Sequence, residues 1–158
     1  MRIGFGTDTH RLVEGKKLIL GGTEIEFVKG CHGHSDGDAL IHAICDSLLG
    51  ALALRDIGFH FPDNAAENKD RNSSEFLLYV TDLIKQKGYR IGNIDSTIHI
   101  QAPKINPHIE RMQSRLSKIM EIEKSQISIK AKTGEKVGII GRGEVVSVDA
   151  IVLLFKNV

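Results

Sequence analysis

Tryptophan is absent, and aromatic residues make up only 5% of the 158 positions. Stacking platforms for bases are therefore scarce, which argues against a single-stranded nucleic-acid binder. Charge of one sign is lacking too: 21 Lys and Arg against 20 Asp and Glu leave +1. That is too little for a general pull on nucleic acid or anionic lipid. With three prolines, no Pro/Ser-rich tract and no internal repeat, the chain offers no linker, so one domain over residues 1–158 is expected. The two cysteines, Cys31 and Cys45, form neither a CxxC nor a zinc spacing and point to a reducing compartment. No apolar run approaches the ~18 residues that span a bilayer. The opening MRIGFGTDTH reads as a strand rather than a leader, so a soluble, cytoplasmic protein is the expectation. A chain of this length buries about 68–70% of its unfolded surface and needs no disulfide or metal merely to fold.

What is present is glycine and histidine. Sixteen glycines and seven histidines occur, and five of the histidines fall in the first 60 residues. Residues 2–13 read as a strand, with Asp8 and His10 on one face. LILGG and TEIEF suggest short strands joined at Gly21-Gly22. Residues 30–37 read as a loop, leading to a helix over about 38–51 in which Leu40, Ile44 and Leu48 recur every four residues, with Asp38 as N-cap. Residues 56–70 look irregular. Asn72 and Glu75 resemble a capping box opening a helix through Leu77, Val80 and Ile84, stopped by Gly88. Residues 94–100 alternate as a strand, Asn106 and Pro107 suit Ncap and N1 of a third helix, and 127–131 form another strand. Residues 145–155 are apolar on both faces, as in a central strand or a subunit contact. The order implies a two-layer α/β sandwich, with helices over a mixed sheet.

Three constellations carry chemistry. Asp8 and His10, two apart on a strand, share a face, and His42, one turn into the helix, completes a tripod through Nε2. Three N/O ligands with an open fourth position is the pattern of a catalytic zinc, although Asp-x-His also arises by chance. His32-Gly-His34-Ser35-Asp36-Gly37-Asp38 reads either as a phosphate cradle at a helix start or as a capped helix after a flexible turn. Lys132-Thr133-Gly134-Glu135 with Gly141-Arg142-Gly143-Glu144 offers close backbone approach and a phosphate fork, or simply a β-hairpin loop with a surface arginine. It matches neither a Walker A loop nor GxGxxG.

The motifs DTH at 8–10, HSDGDALIHA at 34–43, DIG at 56–58, FPD at 61–63, QAPK at 101–104 and GRGE at 141–144 occur together and in order. The ensemble resembles the 2-C-methyl-D-erythritol 2,4-cyclodiphosphate synthase family over essentially the whole chain. Lys132 and Gly134 stand where threonines often flank Thr133, and Ile139 where an aromatic residue is common. The resemblance implies a homotrimer with active sites between subunits. It implies a reaction in which the 2-phosphate of a diphosphocytidyl substrate attacks the β-phosphorus and CMP leaves. Asp8, His10 and His42 would hold Zn²⁺, and Glu135 a second ion, Mg²⁺ or Mn²⁺. His34, Ser35 and Thr133 would position phosphates, with His34 and Thr133 the catalytic pair. Asp56 and Gly58 would meet the ribose, and Phe61, Pro62, Asp63, Asn64 and Ala65 the erythritol, with Thr9 and Ile57 among the substrate contacts. Cytosine would fall to Ile100, Gln101, Ala102, Pro103, Lys104, Ile105 and Asn106 with Ala131, Lys132 and Thr133, while Gly134, Ile139 and Arg142 complete the set. Two rival readings of the same residues are a metal-dependent phosphohydrolase that activates water, and a non-catalytic nucleotide-binding module, which would need a closed metal shell.

Overall fold

The computed structural model describes residues 1–33, 35–62 and 71–157. Its centre is a five-stranded mixed sheet built from β1 (Arg2–Glu14), β4 (Lys29–Cys31), β5 (Tyr89–His99), β6 (Ile127–Lys132) and β7 (Val145–Lys156), in the order β4-β1-β7-β5-β6. All neighbours are antiparallel except β5 and β6. The doubly apolar 145–155 run is indeed the central strand. Its Val146, Val148, Ala150, Val152 and Leu154 are buried beneath the helices. A separate ribbon pairs β2 (Leu18–Leu20) with β3 (Thr23–Ile25) around the Gly21-Gly22 turn.

One face of the sheet carries the helices α1 (Ala39–Ala51), α3 (Ser73–Gln86) and α4 (Ile109–Met120), giving the expected two layers. Helix α1 lies over β1 and β7 and is buried nearly all round, with Leu40, Ile41, Ile44, Cys45, Leu48 and Leu49 fully enclosed. A helix apolar on every side belongs inside a core. Its approach to β1 is possible only because Gly4 and Gly6 face it. A Cβ at Gly4 would lie 1.8 Å from the Ser47 carbonyl, and one at Gly6 would lie 2.2 Å from that of Ala43. The opposite face of the sheet is uncovered in the single chain and exposes Ile3, Phe5 and Ile151.

Several local expectations change. Residues 29–31 pair with the end of β1 as β4, where 30–37 reads as loop. The irregular stretch after residue 55 contains a short helix, α2 (Ile57–His60), capped by Asp56, whose Oδ1 accepts from Phe59 N at 2.9 Å. Asn72 does cap α3, but its Oδ1 accepts from Ser74 N, and Glu75 pairs with Arg71 at 2.7 Å instead of closing a box. Asn106 and Pro107 begin a 3₁₀ turn, Asn106–His108, that precedes α4. Strand β5 starts five residues earlier than its alternation suggests, because the ladder slips between Ile91 and Asn93. There a Cβ on Gly92 would strike the Phe155 ring at 2.5 Å. The 141–144 segment follows a short helical turn, α5 (Gly138–Gly141), where a hairpin loop is the simpler expectation.

Candidate active site

Past Gly6, the face of β1 that supports α1 changes from packing to polar side chains. Asp8 and His10 continue the row occupied by Gly4 and Gly6, and α1 brings His42 over them. His10 Nε2 lies 2.9 Å from Asp8 Oδ2, His42 Nδ1 lies 3.1 Å from the same oxygen, and the two ring nitrogens are 3.3 Å apart. The three ligand atoms lie within 4.8 Å of one another, the only such His/Cys/Asp/Glu group of three or more among the described residues. The side chains of Asp8, His10 and His42 are 25, 15 and 12% exposed, so the group is sheltered yet reachable.

The nitrogen of His42 that faces the group corrects the expectation: it is Nδ1. Nε2 points away, 2.9 Å from Ser73 Oγ and 3.3 Å from Ser35 Oγ. His10 is arranged the other way, its Nδ1 donating to the His32 carbonyl at 2.9 Å. A carbonyl only accepts, so that bond leaves Nε2 toward Asp8. Burial pushes the Asp8 carboxyl up, but hydrogen bonds and charge from His10 and His42 outweigh it and hold Asp8 well below the usual carboxylate range. Burial likewise opposes the charged form of His10, and Asp8 overrides it, raising His10 above its ordinary value. One carboxylate and two imidazoles, converging with an open side, fit a divalent cation such as zinc.

That open side faces a cavity of about 510 Å³, lined by Ser35, Ile57, Gly58, Phe61 and Phe76 beside the three ligands, His32 and Gly33. Gly33 lets the loop close on the His10 ring, which a Cβ there would meet at 3.1 Å. Asp46 holds the wall by accepting from Ile57 N at 2.7 Å, and Phe61 stacks on Phe76 at 4.4 Å. Pro62 is exposed beside this wall. Thr9, between the two ligands, points to the other face of the sheet and bonds Ser147 Oγ at 2.8 Å. His34, Asp63, Asn64 and Ala65 lie outside the described residues.

The remaining residues gather elsewhere. Ile100, Gln101, Pro103, Lys104, Ile105, Asn106, Ala131, Lys132 and Thr133 line a second cavity of about 290 Å³, with the exposed Ala102 in the same turn. It shares no lining residue with the first. Thr133 Oγ1 donates to Glu135 Oε1, and Lys136 N donates to Gln101 Oε1 at 3.3 Å, so the 133–136 turn is tied to the rim of this cavity. Glu135 is exposed and stands apart from the Asp8 group. Gly134 and Gly141 let two backbone segments of the same turn region approach closely: a Cβ on Gly134 would sit 2.5 Å from Gly141 N. Ile139 is exposed, and Arg142 Nε pairs with Glu144 at 2.5 Å on the surface.

Asp38 and Asp36 do not compete with an anion. Asp38 caps α1 through Ile41 N and receives Gly21 N and Gly22 N at 2.9 and 2.6 Å. Asp36 turns toward the start of α3. The parts missing from the sequence reading are Phe76, the His32 carbonyl, Asp46 and Ser73. Only the histidine-rich run around His32 gave a signal, because a backbone acceptor and a serine 31 residues away leave no spacing to read.

Known proteins resemble this chain over nearly its whole length. A family model described as the YgbB family matches residues 1–155. The 2-C-methyl-D-erythritol 2,4-cyclodiphosphate synthase of Porphyromonas gingivalis is 52% identical over 157 residues, covering 99% of this chain and 97% of its own. That of Geobacillus kaustophilus is 49% identical over 156 residues and covers 99% of each. IspF of Plasmodium falciparum, solved as a CDP complex, superposes with a TM-score of 0.88 at 41% identity, over 99% of this chain and 97% of that one.

Proposed function

Since the chain belongs to the YgbB family, we propose that it is a 2-C-methyl-D-erythritol 2,4-cyclodiphosphate synthase, a CMP-releasing phosphorus–oxygen lyase of the non-mevalonate isoprenoid route. In this reaction an oxygen of the 2-phosphate bonds to the β-phosphorus of 4-diphosphocytidyl-2-C-methyl-D-erythritol 2-phosphate. The bond from that phosphorus to the oxygen shared with the α-phosphate breaks, and the oxygen leaves with CMP. The observation that carries the reading is the open Asp8–His10–His42 group at the side of a substrate-sized cavity.

The difficulty is an anion attacking an anion, and a chain of net charge +1 must answer it locally. Asp8, His10 and His42 would hold Zn²⁺, and Glu135 a hydrated Mg²⁺ or Mn²⁺, for which an exposed carboxylate beside phosphate oxygens is suited. Bound there, the ions supply Lewis-acid stabilisation of the phosphoryl charge. Ser35, beside His42, would donate to a phosphate oxygen. Phe61, Ile57 and Gly58 would flank the erythritol and ribose and exclude water. Thr133 would set the Glu135 carboxylate by donating to it. The second cavity would take cytosine through backbone groups at 100–106 and 131–133, with Lys104 facing the phosphates.

The two cavities have different linings, and the open sheet face exposes Ile3, Phe5 and Ile151. Both features support a homotrimer in which one subunit's metal group meets its neighbour's Glu135. A head-to-tail contact that closes into a ring makes such asymmetric joins. Cys31 and Cys45 are free and buried, and burial pushes the Cys31 thiol up to about 12, which suits a reducing, cytoplasmic setting. No helix among the described residues is long and apolar enough to cross a membrane. Incubation with the diphosphocytidyl substrate and ³¹P NMR of the products tests the reading. A cyclic diphosphate with CMP is expected, whereas linear phosphates alone would indicate a phosphohydrolase.

A further inference from the structure

The metal group leaves one question open: what makes His42 present Nδ1. Its other nitrogen, Nε2, is 2.9 Å from the hydroxyl of Ser73, the first residue of α3. Ser73 is fully buried, and its hydroxyl donates to Asp36 Oδ1. Asp36 is an acceptor on both oxygens, Oδ2 receiving Ser73 N at 3.0 Å and Oδ1 receiving Asp38 N at 3.2 Å. A serine has one hydroxyl proton. With that proton committed to Asp36, Ser73 Oγ can only accept from His42, so Nε2 carries a proton. Nδ1, facing Asp8 and His10, is then the only nitrogen of His42 left for a cation. The Ser35 hydroxyl, at 3.3 Å from Nε2, is the longer contact and can turn its own proton to the cavity.

We propose that Ser73 and Asp36 are positioning residues that keep the proton on His42 Nε2 and so preset Nδ1 as the metal ligand. The arrangement ties the metal group to the N-terminus of α3, because the same Asp36 carboxylate takes the Ser73 backbone N–H. Partners behind a metal-bound histidine set its tautomer and orientation, and losing one costs about 10–100-fold in metal affinity. The inference rests on the metal-site reading above.

The test measures zinc affinity by chelator competition and records long-range ¹H–¹⁵N correlations of the histidines in the zinc-loaded protein. In the wild type, His42 should bind through Nδ1 with a slowly exchanging proton on Nε2, and His10 should do the reverse. Ser73→Ala and Asp36→Asn should each weaken zinc about 10–100-fold and speed exchange of the Nε2 proton, while Ser73→Thr should recover most of the affinity. Asn72→Ala, which removes only the cap of α3, should leave zinc binding unchanged and so separates positioning from a general loosening of the helix. His42→Ala should abolish tight zinc binding while circular dichroism stays native. If His42→Ala retains full affinity, the metal-site reading itself fails. If His42→Ala loses zinc but Ser73→Ala and Asp36→Asn bind as the wild type does, or if His42 binds through Nε2, the positioning role is overturned.

Discussion

Replacing Gly6 by alanine should separate the stability of the fold from the competence of the metal group. The new Cβ would stand 2.2 Å from the Ala43 carbonyl and 2.5 Å from Ser47 N, where ordinary contact begins near 3.4 Å. Both obstacles are backbone, so relief means moving α1 off β1 by about 1.2 Å. Overpacking of this kind costs about 1–3 kcal/mol, which in a domain of this size lowers Tm by about 2–12 °C. The displacement falls beside His42, whose distance to a cation tolerates only about 0.2 Å. Zinc affinity should therefore drop at least tenfold. Gly4→Ala is the internal control. Its Cβ would lie 1.8 Å from the Ser47 carbonyl and 2.7 Å from Ala51 N, a harsher clash but one turn or more further from His42. It should cost at least as much stability and less zinc affinity. Thermal melts of the metal-free proteins and competitive zinc titrations decide the matter. Unchanged zinc affinity in Gly6→Ala, or a larger zinc defect in Gly4→Ala, would refute the idea that strand–helix spacing sets the ligand geometry.

Glu135→Gln keeps the shape but weakens a hard-cation ligand, so activity should fall and partly recover as Mg²⁺ or Mn²⁺ is raised; a deficit independent of divalent concentration would give Glu135 another role. Mixing His42→Ala with Glu135→Ala chains after dissociation should return about one-quarter of wild-type sites, because roughly three-quarters of trimers are mixed and each contains one intact junction. Parental activity after exchange proven by mass spectrometry of tagged chains would exclude a shared site. Burial pushes the fully enclosed Asp38 carboxyl up to about 6, with its three backbone donors offsetting only part of that. A folded value above the ordinary one makes the ionised form a liability that is complete above pH 6 and relieved as pH falls toward about 4. The Tm of wild type relative to Asp38→Asn should thus rise between about pH 7 and pH 5, and a flat difference would count against that burial cost.

Periodic elements were readable because burial repeats with the backbone. Residues 145–155, apolar on both faces, read as a central strand or a subunit contact, and the four-residue recurrence of Leu40, Ile44 and Leu48 marked the helix, whose burial on nearly every side is seen only in the structure. The resemblance singled out Asp8, His10 and His42, which the structure joins. What could not be read depends on contacts between distant residues or on elements too short to show a period. Strand β4 has three residues, α2 has four, and the slip in β5 falls at Gly92, where the Phe155 ring packs against the backbone. The ring nitrogen used by His42 is decided by Ser73, 31 residues away, and Thr9 adjoins two ligands yet faces away from both.

Two separate cavities with no common lining residue make the proposed substrate a bivalent ligand. Cytosine would engage one patch and the ribose and phosphorylated erythritol the other, with the diphosphate setting the distance between the two ends. For such a molecule the second engagement is intramolecular, and its gain of about 10²–10⁴ over either end alone depends on the tether matching the gap. Discrimination then falls largely on length. A cytidine derivative one phosphate too short would lose avidity even though every contact at its base is retained. Loosening of the proposed subunit junction would appear first as weaker binding of the whole substrate, with the affinities of its two halves unchanged.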